Sequence, residues 1–314
     1  MTIITASAPG KVVLSGEYAV LDGAPAISMA VNRRAVVTFD PIAENSPAVR
    51  SVGLDGRNNT SLFDCVVRAV RFNNASDYSV LLDTSSLVDA ESGVKLGIGS
   101  SAALTVALVK AMASLMDEKI DVGEAAANAH RDFQQGVGSG VDIATSVAGG
   151  LLEFRMQETG VTKLNWPKGL EFALLWSGVA ASTRDRVSRL KASDTKPSRA
   201  RLSAEASAIA LAWGSGDADA VVAACGKYND ALMAFSIDHE LGIFEAGHDV
   251  LAQDALAGGL AYKPCGAGGG DVGIALATAQ EQLNKFVTRA EASGFQQLDI
   301  ECDDNGVQLT RDSD

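Results

Sequence analysis

Lys95-Leu96-Gly97-Ile98-Gly99-Ser100-Ser101-Ala102-Ala103-Leu104 joins a glycine-bearing turn to a long apolar run. Glycines let a ligand come close to the main chain, and the free amides at a helix start make a seat for phosphate. Ala102, Ala103, Leu104, Val106, Ala107, Leu108, Val109 and Met112 are apolar almost all round, which predicts a helix buried between other elements. A steric strand-to-helix turn would carry the same glycines. Two further segments weigh against that reading: Ser7-Ala8-Pro9-Gly10-Lys11 upstream and Gly266-Ala267-Gly268-Gly269-Gly270-Asp271 downstream. With the paired serines, whose hydroxyls can bond phosphate oxygens or ligate magnesium, the three segments point to phosphoryl transfer. The P-loop pattern GxxxxGK[ST] is absent.

Outward from this stretch, alternating and β-rich runs predict strands over 3–13, 26–31, 36–39, 151–156, 172–176, 260–263, 273–276, 297–301 and 307–310. Helical spacing predicts helices over 61–72, 123–133, 141–147, 199–213, 217–234, 239–256 and 279–293. Helices and strands that do not alternate regularly favour an α+β fold over a doubly wound sheet. The composition shifts near Trp166-Pro167, so the expected division is an N-terminal domain over 1–165 and a C-terminal one over 166–314.

A chain of 314 residues can bury a large core, and its net charge of -13 argues against nucleic acid or an anionic membrane as partner. No run approaches the length of a membrane span, and the first residues lack the pattern of a secretory signal, so a cytoplasmic location is expected. Cys65, Cys225, Cys265 and Cys302 are scattered without a CxxC pair, which disfavours structural zinc. Cys265, at the edge of the third glycine segment, is expected to be the accessible thiol, and the other three buried and inert.

The three segments, in this order, resemble the motifs of the GHMP kinase superfamily of galactokinase, homoserine kinase, mevalonate kinase and phosphomevalonate kinase. The resemblance spans residues 7–275. It implies a two-lobed α+β fold, with an N-terminal lobe like ribosomal protein S5 domain 2 and a ferredoxin-like C-terminal lobe. ATP would be cradled at the first lobe's helix start and the acceptor held between lobes. Four details resemble the phosphomevalonate kinase branch: Lys95 before the phosphate loop, the run Gln135-Gly136-Val137-Gly138-Ser139-Gly140-Val141-Asp142-Ile143-Ala144, the aspartate of Gly269-Gly270-Asp271, and Trp176-Ser177-Gly178 followed by Ala181-Ser182-Thr183.

The resemblance implies a nucleotide seat of Lys95, Gly97, Gly99, Ser100, Ser101 and Ala102, with Ser101 also a magnesium ligand. Lys11 matches the first-motif lysine beside the transferring phosphoryl group. Asp142 matches the aspartate that accepts the hydroxyl proton in sister kinases acting on an alcohol; positioning Lys11, binding magnesium or capping the following helix stay open for it. The acceptor side would comprise Ser15, Glu17, Tyr18, Ser139, Ser182, Thr183, Arg184, Gly268, Gly269 and Asp271. One departure concerns the metal: eleven residues before Asp142, where mevalonate kinases place a magnesium-ligating glutamate, stands Arg131 with Asp132 beside it. Either Asp132 substitutes, or the metal depends on Ser101 and the ATP phosphates.

A phosphorylated acceptor is largely dianionic at neutral pH and needs no base; it needs positive charge to bring two anions together. Residues 184–201 hold seven basic side chains, Arg184, Arg186, Arg189, Lys191, Lys196, Arg199 and Arg201, against Asp185 and Asp194. A solvated basic helix face would look the same. The expected activity is ATP- and magnesium-dependent phosphorylation of (R)-5-phosphomevalonate to the diphosphate, in the mevalonate pathway of isoprenoid synthesis. Mevalonate kinase or another alcohol kinase of this superfamily is the alternative, followed by a non-catalytic sensor and a decarboxylase that phosphorylates transiently.

Overall fold

A computed structural model describes residues 2–42, 49–53, 56–136, 138–158, 160–181, 186, 189, 190 and 196–313. The chain forms two compact units, Met1–Lys11 with Ala30–Gly150 and Glu301–Asp314, and Val12–Met29 with Leu151–Ile300. The expected division at 165/166 is a single cut, whereas the chain passes between these units four times. Strands β1 (Thr2–Ser15) and β2 (Ala26–Pro41) each contribute to both units, and the last strand, β11 (Gln308–Ser313), returns to pair antiparallel with β1.

In the first unit the sheet order is β11-β1-β2-β4-β3, with β3 (Val49–Val52) parallel to β4 (Tyr78–Asp83). β2 is one strand where the sequence predicts two, over 26–31 and 36–39. The polar run Asn32-Arg33-Arg34 does not interrupt it, because Arg34 is held by the Asp303 carboxylate at 2.5 Å and by the carbonyls of Ser7 and Gly306. Four helices follow: α1 (Gly56–Val70), α2 (Ser100–Met116), α3 (Val122–Phe133) and α4 (Val141–Ala148). α2 packs on α1, α3 and α4 and is buried on all sides, as its composition requires. Asp121 caps α3 by accepting the Glu124 amide at 3.0 Å.

In the second unit the Ala26–Met29 end of β2 pairs with β5 (Leu151–Phe154), and β5 with β6 (Thr162–Leu164). The remainder is an antiparallel sheet of β7 (Glu171–Trp176), β8 (Ala261–Pro264), β9 (Val272–Ala277) and β10 (Gln296–Leu298) in the order β10-β7-β9-β8. Helices α5 (Pro197–Ser215), α6 (Ala218–Asp238) and α7 (His248–Ala257) lie between β7 and β8, and α8 (Gln280–Ala292) between β9 and β10. Strand, helices, two strands, helix, strand in this spatial order is the ferredoxin-like arrangement.

α7 corrects the expected helix over 239–256, because α6 runs on to Asp238 and a loop intervenes before His248. Gly242, Ala246 and Gly247 all have positive φ, and the Ile243 amide donates to Ser236 Oγ at 2.9 Å. The loop's carbonyls are committed elsewhere: Ile243 O accepts the Gly269 amide at 2.7 Å. The cysteine expectation is also revised. Cys265 is buried together with Cys225, while Cys65 and Cys302 are partly exposed.

Candidate active site

The first unit holds the glycine-bearing turn at residues 95–104 that is expected to seat the nucleotide. Gly97 and Gly99 have φ of 78° and 85°, so the chain turns sharply before entering α2. Gly99 stands at the N-cap with no side-chain cap, and the first helical bond is Ala103 N to Gly99 O. The amides of Ser100, Ser101 and Ala102 therefore have no acceptor among the described residues, which is the arrangement that seats a phosphate. Lys95 bridges Val88 just upstream.

β1 is fastened to this loop. The Lys11 amide donates to Ile98 O at 2.7 Å, and Gly10 is pressed so closely that a Cβ would stand 2.5 Å from the same oxygen. The Lys11 stem runs over Gly99, within van der Waals reach of where a Cβ would be. An ammonium is thus carried along the loop that bears the free amides.

Ser101 Oγ lies 3.0 Å from His130 Nε2, and His130 Nδ1 lies 3.9 Å from Asp142 Oδ2. In the tautomer with its proton on Nδ1, on the side of the carboxylate, Nε2 accepts from the Ser101 hydroxyl, whose oxygen keeps lone pairs for a phosphate-bound cation. His130 is buried on α3, while Arg131 and Asp132 are exposed, so the histidine is the α3 side chain that reaches Ser101. Asp142 Oδ1 also accepts the Ile143 amide at 3.0 Å, at the first turn of α4. Ser139 Oγ accepts the Val141 amide at 3.4 Å beside it. Sequence reading passed over His130; the only signal was a histidine on the inward face of an amphipathic helix.

The second unit gathers the other named residues. Glu17 is buried and forms an ion pair with Lys263 at 2.5 Å, accepts from Tyr228 OH at 3.1 Å and from the Gly266 amide at 3.3 Å. Its carboxylate is therefore spent on tying the loop after β1 to the third glycine segment. Burial opposes the Lys263 charge, but Cys265 and Glu17 outweigh it and hold the ammonium's pKa above its ordinary value. Tyr18 OH donates to Ala267 O at 2.7 Å, and burial pushes its pKa up against the opposing pull of Arg186. Ser15 Oγ is buried with no partner among the described residues.

The third glycine segment is pinned from several sides. Asp271 accepts the Ala181 amide at 3.0 Å, and its own amide donates to Val179 O at 2.7 Å. His248 Nε2 donates to Gly270 O at 3.1 Å and Nδ1 lies 2.7 Å from Tyr262 OH, where a neutral ring accepts from the phenol. Burial pulls the His248 pKa down to about 4. A Cβ on Gly268 would press on Ile243, and one on Gly269 would collide with the Arg186 guanidinium. Of the basic run, Arg199 is bound bidentately to Asp22, and Lys196 donates to Asp238 O. Ser182, Thr183, Arg184 and Lys191 lie outside the described residues.

Residues 64–150, which contain the loop, His130 and Asp142, match the GHMP kinases N terminal domain. The phosphomevalonate kinase of Streptomyces sp. strain CL190 is 30% identical across 95% of this chain and 96% of that protein. The chain belongs to the GHMP kinase family. The mevalonate kinase of Methanothermobacter thermautotrophicus is 36% identical to this GHMP kinase, over 47% of the chain and 49% of that protein. The structure of Streptococcus pneumoniae phosphomevalonate kinase in complex with phosphomevalonate and AMPPNP superposes with a TM-score of 0.80 at 19% identity, covering 95% of this chain and 99% of that one. The fold is thus the GHMP kinase fold, and the protein is an ATP-using phosphotransferase. Among the described residues no helix is long and apolar enough to cross a membrane.

Proposed function

We propose that this GHMP kinase acts in the mevalonate pathway, transferring the γ-phosphoryl group of ATP to the phosphate of (R)-5-phosphomevalonate to give the diphosphate and ADP. The observation that carries the choice of acceptor is the 30% likeness to a phosphomevalonate kinase over almost the full length of both chains. Mevalonate is the competing acceptor, favoured by the 36% match to a mevalonate kinase over about half the chain.

The proposed chemistry rests on alignment and charge. Amides at Gly97 to Ala102 hold the triphosphate, and the Lys11 ammonium offsets charge on the transferring group as an acceptor oxygen attacks and ADP leaves. An acceptor phosphate is largely dianionic near neutrality, so no side chain has to take its proton. Asp142 then serves through His130, holding the imidazole that orients Ser101. The donor set fits magnesium carried by the Ser101 hydroxyl and the nucleotide phosphates, where the cation would neutralise phosphate charge. Ser15, Glu17, Tyr18, Gly268, Gly269 and Asp271 form or brace the acceptor pocket, with Glu17 and Asp271 acting through the loops they tie down.

A coupled ADP assay with mevalonate, phosphomevalonate and homoserine tests the proposal. ADP release with phosphomevalonate is the expected result, without carbon dioxide. Turnover confined to mevalonate or homoserine would overturn the acceptor assignment.

A further inference from the structure

Resting on that reading of the acceptor, we infer that Arg186 is the residue that grips the acceptor's phosphate, in a seat completed by main-chain amides of the third glycine segment. Its guanidinium is held in place before any ligand arrives: Nε donates to Leu241 O at 3.1 Å and Nη2 to Gly269 O at 3.3 Å. Both carbonyls belong to loops with fixed backbone, so the planar fork has one orientation. Nη1 has no partner among the described residues and is left to a ligand. The carboxylate that pairs with it among the described residues, Glu245, is 68% exposed and 3.4 Å from Nη2, a contact that an incoming dianion can displace at little cost.

The surroundings suit an anion. The amides of Ala267, Gly268 and Gly270 have no acceptor among the described residues, in the same segment whose Gly269 must lack a side chain to admit Arg186. Gly266, Gly268 and Gly269, with φ of 67°, 70° and 70°, turn the backbone so that free amides of the segment can face an oxyanion. Arg186 and Arg189 both pull against the raised pKa of the Tyr18 hydroxyl, which donates to Ala267 O of the segment. The other described cations of the basic run that have named partners, Lys196 and Arg199, are committed to Asp238 and Asp22. A phosphate monoester dianion takes a fixed guanidinium fork and free amides; an alcohol acceptor has no use for them.

Steady-state kinetics on wild type, Arg186→Gln and Arg186→Lys, with phosphomevalonate and ATP varied in turn, tests this. Arg186→Gln should raise the KM for phosphomevalonate by about tenfold to a hundredfold, leaving the ATP KM within about twofold. Arg186→Lys, which keeps the charge but not the fork, should fall between; it also serves if the glutamine variant does not fold. An unchanged acceptor KM in the variants, with an active wild type, overturns the role of Arg186 and leaves the acceptor assignment standing. A wild type that turns over only unphosphorylated acceptors overturns both, and the wild type alone shows it.

Discussion

Replacing Lys263 by methionine removes one half of an ion pair whose two side chains are 0% and 2% exposed. Methionine keeps much of the length of the stem, so the main loss is charge rather than packing. Breaking a buried pair by deleting one partner costs about 3–5 kcal/mol, a large share of a typical stability of about 5–15 kcal/mol. Glu17 keeps the Tyr228 hydroxyl and the Gly266 amide, which places the expected loss nearer the lower end, about 3 kcal/mol. Urea denaturation of wild type, Lys263→Met and Glu17→Gln/Lys263→Met measures this. The double variant should recover most of the loss. A loss below about 1 kcal/mol in Lys263→Met would refute a structural role for the pair.

Lys11→Met and Ser101→Ala should each lower kcat by about a hundredfold or more while circular dichroism and melting temperature stay near wild type; normal turnover in both would sink the nucleotide-loop assignment. Gly10→Ala brings a Cβ to 2.5 Å from Ile98 O, so it should cost about 1–3 kcal/mol and raise the ATP KM, read by denaturation and kinetics together. His248 is neutral in the fold with a pKa near 4, against 6.5 when free. The unfolded chain binds the extra proton between these values, so about 3 kcal/mol of stability present above pH 6.5 is lost as pH falls toward 4. His248→Gln should flatten that part of the stability–pH curve, and an identical curve would disprove the buried neutral imidazole.

What could be read in advance follows the range of the interactions. The glycine turn and the start of α2 were legible because glycine, serine and an unbroken apolar run are local signals, and the helix begins where they meet. The close approach of β1 to that turn was not, because the oxygen that demands Gly10 belongs to Ile98, far along the chain. His130 was not, since its partners Ser101 and Asp142 come from two other helices and nothing in its own neighbourhood distinguishes it from a buried structural histidine. The pair of Glu17 with Lys263 joins residues 246 positions apart, and its only trace is a lysine inside the short strand Ala261–Pro264. Helical spacing over 239–256 misled because it cannot sense that the carbonyls of Leu241 and Ile243 are taken by Arg186 and Gly269. Arg34 similarly looked like a break in β2 because its carboxylate partner, Asp303, lies near the chain's other end.

The most direct measurement is phosphorus NMR of the product formed from ATP and phosphomevalonate. A new pair of mutually coupled resonances besides those of ADP, from a phosphorus–oxygen–phosphorus linkage on the acceptor, is the result the account predicts. An unchanged phosphomevalonate signal, alongside a new monoester signal when mevalonate is supplied instead, would contradict it.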